Sequence, residues 1–359
     1  MDKNAMIPRE RLLTTLSRRT PDRVPYTMGF NREAFKIYQR ESGFENVFDA
    51  FGTLPDEEPI AFHPTKIDPV IYREIHGELR PGTYFNEWGT AFEPGSNPAF
   101  DYFTPALDGE CSVQDILDYP LSDMKEDYRH NDLEARVKDI RDRGFAAHAI
   151  MPMTIFEVAW QIRGFNDLLL GFLTDEEASI VLLDRITELR VFQSRRFAEA
   201  GADILHVGDD VGMEDRMILS PDVWRNWLKP RLAEVINSAL EAKPDIFIHY
   251  HSDGYVEPII PDLIEIGVNV LNPVQPECMD PRKLKQQYGD RLAFWGTMGT
   301  QTTMPFGTTD EVRRVVKEMC EIVGKGGGLV LAPTHSLEPE VPWENVVAFV
   351  EAVEEFGRY

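Results

Sequence analysis

The feature that most constrains the fold is an alternation of short apolar segments and longer helical patterns, which begins after residue 130 of the 359-residue chain. The apolar segments predict strands at 146–151, 204–207, 246–250, 268–272, 292–295 and 329–332. Helices are predicted between and beside them, at 132–143, 175–200, 221–242, 256–266, 281–288, 309–323 and 342–356. Strands that alternate with helices at this spacing form a parallel sheet.

The parallel sheet is predicted to close into a barrel. No Gly-x-Gly-x-x-Gly segment follows an early strand, so the nucleotide-binding open sheet has no support. A first strand is predicted at 24–30, and residues 53–125, dense in proline, glycine and aromatic residues, are predicted to form an insertion of loops and hairpins. The predicted fold class is therefore α/β, a single (β/α)8 TIM-type barrel over 1–359 with an irregular insertion in its N-terminal half.

Bulk composition excludes several functions. The net charge of −24 disfavours nucleic acid and anionic membrane surfaces as partners. The chain has no apolar run near the ~18 residues that span a bilayer, and its start lacks an apolar signal segment. Cys111, Cys278 and Cys320 form no Cys-x-x-Cys pair, which argues against a thiolate metal cage. We therefore expect a cytoplasmic protein with a small-molecule substrate.

Polar, titratable residues gather where the predicted strands end. The stretch 246–254 runs through His-Tyr-His-Ser-Asp-Gly, and the stretch 328–335 ends in a histidine. In a barrel of this type the carboxyl ends of the strands hold the active site. The strand-end residues that we predict for that site are Asp209, Asp210 and Asn272 as catalytic residues, Glu157 and Gln275 as substrate-binding residues, and His251 and His335 as metal ligands.

Two interpretations of the strand-end histidines stay open. His251, His335 and one carboxylate, from Glu157, Asp210 or Asp253, would give zinc three protein ligands and an open position. Alternatively, both histidines are neutral, hydrogen-bonded members of a substrate pocket that act as acid, base or orienting group.

An aspartate pair and two further histidines also allow more than one interpretation. The pair Asp209-Asp210 could bind a cation, accept a proton or hold a substrate nitrogen, and we expect at least one of the two to be functional. His206 and His249 lie inside predicted strands, and we expect both to be core histidines with satisfied hydrogen bonds.

At these residues the chain resembles the uroporphyrinogen decarboxylase superfamily over nearly its whole length. The resemblance begins at the opening helix and the Asp-Arg-Val-Pro turn at 22–25, and continues through Glu-Trp-Gly at 87–89 and through 246–254. It is strongest at 292–299, 326–331 and 335–346. The resemblance implies a single (β/α)8 barrel, in agreement with the strand–helix alternation.

The resemblance leaves two enzymatic branches to consider. Decarboxylases of the family carry an Arg-Gln-Ala-Gly-Arg segment soon after the first strand, but here the matching residues 28–34 read Met-Gly-Phe-Asn-Arg-Glu-Ala, and only Arg32 could serve. The corrinoid-dependent methyltransferases commonly bind zinc through His-x-Cys after one strand and a cysteine after the last. The positions similar to these are His251-x-Asp253 and His335, so both sulfur ligands are replaced.

The resemblance thus implies a methyltransferase whose zinc is held by histidine and carboxylate. Such a site is a harder Lewis acid than a thiolate site, better matched to polarising an oxygen. We therefore hypothesise O-demethylation of a methoxy compound, with the methyl group moving to or from a corrinoid, or cobalamin, on a small corrinoid-binding protein. A metal-free decarboxylase of uroporphyrinogen or a related pyrrolic acid, and a non-catalytic subunit that binds the corrinoid protein, are the alternatives. A homodimer is also considered.

Overall fold

A computed structural model of the chain describes residues 5–51, 55–96, 101–174 and 176–359. Within these residues the strands are β1 (Glu57–Ile60), β2 (Tyr84–Phe85), β3 (Ala91–Pro94), β4 (Asp101–Thr104), β5 (Ala146–Ile150), β6 (Ile204–Gly208), β7 (Phe247–His251), β8 (Val270–Asn272), β9 (Ala293–Met298) and β10 (Leu329–Pro333). The six strands predicted after residue 130 are all present, each within three residues of its predicted ends.

The helices surround these strands. They are α1 (Pro8–Leu16), α2 (Arg32–Ser42), α3 (Val70–His76), α4 (Val113–Asp118), α5 (Leu133–Asp142), α6 (Phe156–Arg163), α7 (Phe165–Thr174), α8 (Glu177–Glu199), α9 (Pro221–Trp227), α10 (Lys229–Ala242), α11 (Ile260–Glu265), α12 (Pro281–Tyr288), α13 (Thr303–Phe306), α14 (Thr309–Ile322) and α15 (Trp343–Phe356). Short 3-10 helices lie at Val47–Phe51, Asp127–Arg129 and Glu257–Ile259. None of the described helices is long and apolar enough to cross a membrane.

Seven parallel strands form the barrel wall, in the order β1-β5-β6-β7-β8-β9-β10. The segment predicted as the first strand, 24–30, runs beside β10 through parallel bridges at Tyr26–Leu331 and Phe30–Leu337, although these bridges are isolated rather than part of a continuous strand. The predicted TIM-type α/β architecture is confirmed, although segment 24–30, predicted as the first strand, makes only isolated bridges beside β10.

The extent of the insertion was predicted wrongly. Residues 57–60, placed in the insertion, form β1 and pair with β5 as a barrel strand. The charged sequence Glu-Glu-Pro-Ile conceals this strand, because apolar character is the usual signal of a buried parallel strand. In the described part of the segment, β2, β3 and β4 form a small antiparallel sheet, as the predicted hairpins require, but α3 and α4 are short helices that were not predicted. Residues 53–54 lie outside the described residues, as do 97–100. Buried Tyr72, Trp88 and Tyr119 pack the segment onto the core.

Two helical predictions also differ from the structure. The helix predicted over 221–242 is divided into α9 and α10 at Leu228. Pro230 explains the division, because its ring excludes the preceding turn and it has no N–H to donate. Helices α6 and α7 were not predicted, since residues 152–157 read as a loop after β5. Their sequence, rich in leucine and phenylalanine from 165 to 173, is the signal that was missed.

The barrel interior changes character from one end to the other. Helix α1 packs Leu12 and Leu16 against the small and aliphatic interior residues Ala146, Ile204 and Val270, closing the N-terminal end. Further along the strands, histidines replace aliphatic side chains, and the C-terminal ends of β6, β7 and β8 open onto polar loops. The fold therefore places the predicted site residues at the open, C-terminal mouth of the barrel.

Candidate metal centre at the barrel mouth

The centre of the mouth is His251, the last residue of β7. Its strand neighbours are Gly208 on β6 and Asn272 on β8. At Gly208 the backbone has φ +144°, and a Cβ there would lie 1.9 Å from the carbonyl oxygen of His251. Only glycine, which has no Cβ, allows the backbones at positions 208 and 251 to lie this close together.

Three metal-compatible side chains converge at this point. Asp210, His251 and Asp253 each offer one ligand atom, and these atoms all lie within 4.8 Å of one another. The Nε2 of His251 is 3.8 Å from the Oδ1 of Asp210, and the backbone N–H of Asp253 donates to that same Oδ1 at 2.8 Å. In a tetrahedral zinc site, ligand atoms about 2.1 Å from the metal are about 3.4 Å apart. The separation of Nε2 and Oδ1 is close to this value, so these two atoms could bind one cation.

Asn272 determines which nitrogen of His251 is available. The Asn272 side-chain N–H donates to the carbonyl oxygen of Trp295 at 3.2 Å, so its Oδ1 points the other way and accepts from Nδ1 of His251 at 2.6 Å. Nδ1 therefore carries the proton, and the lone pair on Nε2 faces Asp210. Such partners are typical of metal-bound histidines, whose tautomer and ring orientation they fix.

Asp253 has an unmet bonding requirement. Its Oδ1 is buried and has no hydrogen-bond partner among the described residues. Burial raises the pKa of this carboxyl, and the charge of Asp210 raises it further, whereas His251 and His335 lower it. A buried carboxylate oxygen without a donor is costly unless a cation or a proton meets it. The donor set of one imidazole and two carboxylates, with this orphaned oxygen, fits a divalent metal ion.

Behind these side chains lies a second, buried carboxylate pair, Asp209 and Glu157. Asp209 accepts backbone N–H bonds from Ile155 and Glu157 at 2.9–3.1 Å, and so caps the start of α6 from another strand. Glu157 accepts from the backbone N–H of Asp210 at 3.0 Å. Burial, followed by the charges of Asp209 and Asp210, raises the pKa of Glu157 to about 8. The pair therefore holds a proton at neutral pH, and Glu157 carries it because Asp209 has the backbone donors.

A cavity of about 330 Å³ opens directly beside the candidate ligands. Asp253, Gln275 and His335 line it. Gln275 accepts from the backbone N–H of Gly254 at 3.0 Å and thereby holds the loop that carries Asp253. His335 is exposed on the loop after β10, and it does not lie within 4.8 Å of all three candidate ligand atoms. Its assignment as a ligand stays a prediction, as does the role of Arg32, which is exposed at the start of α2.

Several residues of the cavity were not among the predicted site residues. They are Met213, Glu214, Cys278, Thr300, Gln301, Ser336 and Glu338. The sequence signal that could have found some of them is position. Met213 and Glu214 follow Gly212 in the loop after β6, and Thr300 and Gln301 follow Gly299, the first residue after β9. Burial and the charge of Glu277 raise the pKa of Cys278 to about 11, so its sulfur is a neutral thiol at physiological pH.

The sequence was compared with protein families and with known proteins. The uroporphyrinogen decarboxylase (URO-D) family profile matches residues 144–356. A methylcobamide:CoM methyltransferase, MtaA, of Methanosarcina barkeri is 30% identical over 174 residues, which cover 48% of each chain. A uroporphyrinogen decarboxylase of Pseudoalteromonas translucida is 36% identical over 281 residues, covering 75% of this chain and 74% of the relative. The chain thus spans about half the length of the methyltransferase relatives that it matches.

A solved structure agrees with the fold. A methyltransferase from Methanosarcina mazei superposes with a TM-score of 0.66 at 21% sequence identity, and the alignment covers 98% of this chain and 99% of that one. At this identity the likeness concerns the fold alone. The predicted resemblance to the uroporphyrinogen decarboxylase superfamily is confirmed by the family profile and by the sequence relatives.

Proposed function

This chain belongs to the uroporphyrinogen decarboxylase family, and we propose that within it the protein transfers a methyl group between a small molecule and a corrinoid on a partner protein. The similarity to a methylcobamide:CoM methyltransferase supports a methyl transfer that involves a corrinoid. The sequence supports the same branch, because at 28–34 it lacks the Arg-Gln-Ala-Gly-Arg segment of the decarboxylases.

The observation that carries the proposal is the convergence of Asp210, His251 and Asp253 beside an open cavity. These residues would hold zinc, with His335 as a further ligand from the opposite side of the mouth. When bound, zinc would act as a Lewis acid that draws charge from a methoxy oxygen. Because the donors are oxygen and nitrogen rather than thiolate, we propose an oxygen-linked methyl group as the one transferred.

The surrounding residues would set up this site. Asn272 keeps Nε2 of His251 free of a proton, and Gln275 holds the loop of Asp253 in place. Glu157, protonated at neutral pH, limits the negative charge that gathers behind the ligands. Asp209, predicted as catalytic, is used in capping α6, so we assign it a positioning role. The cavity of about 330 Å³ suits a small substrate.

A decarboxylase is the second candidate, favoured by the 36% identity to a uroporphyrinogen decarboxylase over three quarters of the chain. The substrate of that reaction carries many carboxylates, which need basic partners. At the position of the family's arginine-rich segment this chain has Arg32, on a protein of net charge −24. A non-catalytic subunit that binds a corrinoid protein is the third candidate.

The proposal is tested with the zinc-loaded chain, free cob(I)alamin and 2-methoxyphenol as the methyl donor. In the expected reaction the methyl–oxygen bond breaks, the cobalt electron pair forms the methyl–cobalt bond, and the phenolic oxygen gains a proton. The visible spectrum reports methylcobalamin directly. Asp210→Asn should lower the rate at least 100-fold, whereas Asp215→Asn, on the exposed end of the same loop, should leave it within twofold.

The outcomes separate the candidates. Release of CO2 from uroporphyrinogen without added metal, lost in Asp210→Asn, would establish the decarboxylase instead. No turnover with any methyl donor, together with tight binding to a corrinoid protein, would establish the binding subunit.

A further inference from the structure

A second group of possible metal ligands lies inside the barrel, below the mouth. It consists of His148 on β5, His206 on β6 and His249 on β7. His206 and His249 are direct strand partners, and His148 stands two residues before Ile150, which pairs with His206. Because side chains alternate between the two faces of a strand, all three point into the barrel. Aliphatic residues normally fill such layers, so three adjacent imidazoles are a departure that needs an explanation.

The three rings are close enough to share one ion. A ring nitrogen of each lies within 4.8 Å of a ring nitrogen of the other two. The Nδ1 atoms of His206 and His249 are 3.1 Å apart. Two nitrogen ligands about 2.05 Å from a tetrahedral metal are separated by about 3.3 Å, so this pair of atoms already has the spacing of one edge of a coordination tetrahedron.

Hydrogen bonding within the cluster leaves two nitrogens unsatisfied. His148 binds the carboxylate of Glu57 through Nδ1, so Nδ1 carries the proton and Nε2 presents a lone pair. That Nε2 is buried and has no partner among the described residues, and the same is true of Nε2 of His249. The residues themselves are 4% and 3% exposed. Our expectation that His249 is a core histidine with satisfied hydrogen bonds is therefore not met.

We propose that His148, His206 and His249 form a second metal site, distinct from the one at the mouth, that takes a divalent transition metal such as zinc or cobalt. Three imidazoles suit these metals and not the oxygen-seeking magnesium or calcium ions. Glu57 orients His148 from behind, as carboxylates do for metal-bound histidines. The ion would link three neighbouring strands of the barrel wall.

The two groups share no residue, yet they are in contact. The ring of His206 stacks on that of His251 with centroids 5.5 Å apart. Trp295 lies on the other side, with its ring centroid 4.9 Å from His249 and 5.5 Å from His148. An ion in the cluster would therefore support the histidine of the mouth from below, and Trp295 would report its binding.

The test uses the full chain stripped with a chelator and titrated with Co(II), whose visible absorption identifies tetrahedral nitrogen coordination. We expect two equivalents per wild-type chain. Asp210→Asn should keep the cluster ion and lose the other, and His148→Gln should show the reverse. Co(II) should also quench tryptophan fluorescence in wild type and in Asp210→Asn, and quench it far less in Trp295→Phe.

Each outcome is decisive for this site. Equal Co(II) binding by His148→Gln and wild type, or quenching that Trp295→Phe does not reduce, would overturn it. If His148→Gln does not fold, Asp210→Asn still tests the cluster. This variant lacks a working mouth site, so it must still bind one equivalent of Co(II), and Co(II) must still raise its melting temperature. Loss of all binding in Asp210→Asn would refute the cluster while leaving the mouth site intact.

Discussion

Replacement of Glu157 by glutamine should remove the part of the pH dependence of folding that arises from the raised pKa of this buried carboxyl. The pKa of Glu157 is raised from 4.5 to about 8 by burial and by Asp209 and Asp210. Between these two values the folded chain holds a proton that the unfolded chain has released. Stability therefore falls as pH rises through this window, and the loss is complete above the folded pKa.

The magnitude follows from the gap between the two pKa values. A gap of about 3.5 pKa units, at about 1.4 kcal/mol for each unit, gives a loss of roughly 3 to 5 kcal/mol between pH 4.5 and 9. Glutamine keeps the oxygen that accepts from the backbone N–H of Asp210, and it is neutral at every pH. At pH 8.5 the variant should thus be more stable than wild type by about 3 kcal/mol, and at pH 5 the two should agree within about 1 kcal/mol.

Urea denaturation in the presence of chelator, at half-unit steps from pH 5 to 9, measures this difference. Glu214→Gln is the matched control, because Glu214 is an exposed carboxylate of the same mouth. Zinc should reduce the difference, since a nearby cation favours the ionised form of Glu157. Parallel stability curves for wild type and Glu157→Gln would refute the assigned proton and the charge arrangement derived from it.

Three further predictions concern the mouth and the opposite, N-terminal end of the barrel. Asn272→Ala should weaken zinc binding about 10- to 100-fold in chelator competition, because His251 loses the acceptor that fixes its tautomer, and an unchanged affinity would contradict this role. Gly208→Ala should destabilise the fold by more than about 2 kcal/mol in urea denaturation, since its Cβ would strike the carbonyl of His251; a wild-type midpoint would be inconsistent with the described loop. Asp203→Asn should lower the free energy of unfolding by about 2 to 4 kcal/mol, because buried Asp203 forms ion pairs with the partly exposed Arg9 at 2.8 Å and Arg141 at 2.6 Å. An acid-unfolding curve equal to that of wild type would count against this prediction.

The sequence by itself determined that the chain forms a parallel barrel and that the candidate site lies at the C-terminal ends of its strands. The alternation of side chains along a strand puts His249 and His251 on the same face of β7, and the register sets His251 between Gly208 and Asn272. These inferences succeed because the period of a strand and the direction of its C-terminal end are local properties.

Only the tertiary structure decided how the polar residues divide into groups. The neighbours Asp209 and Asp210 have identical side chains, yet one caps α6 and the other faces His251. His148 gave no signal of its own and joins His206 and His249 from another strand, while β1 lies hidden in a charged segment. Which side chains meet depends on the register between strands and the path of the loops. Both arise from contacts between residues that are far apart in the chain.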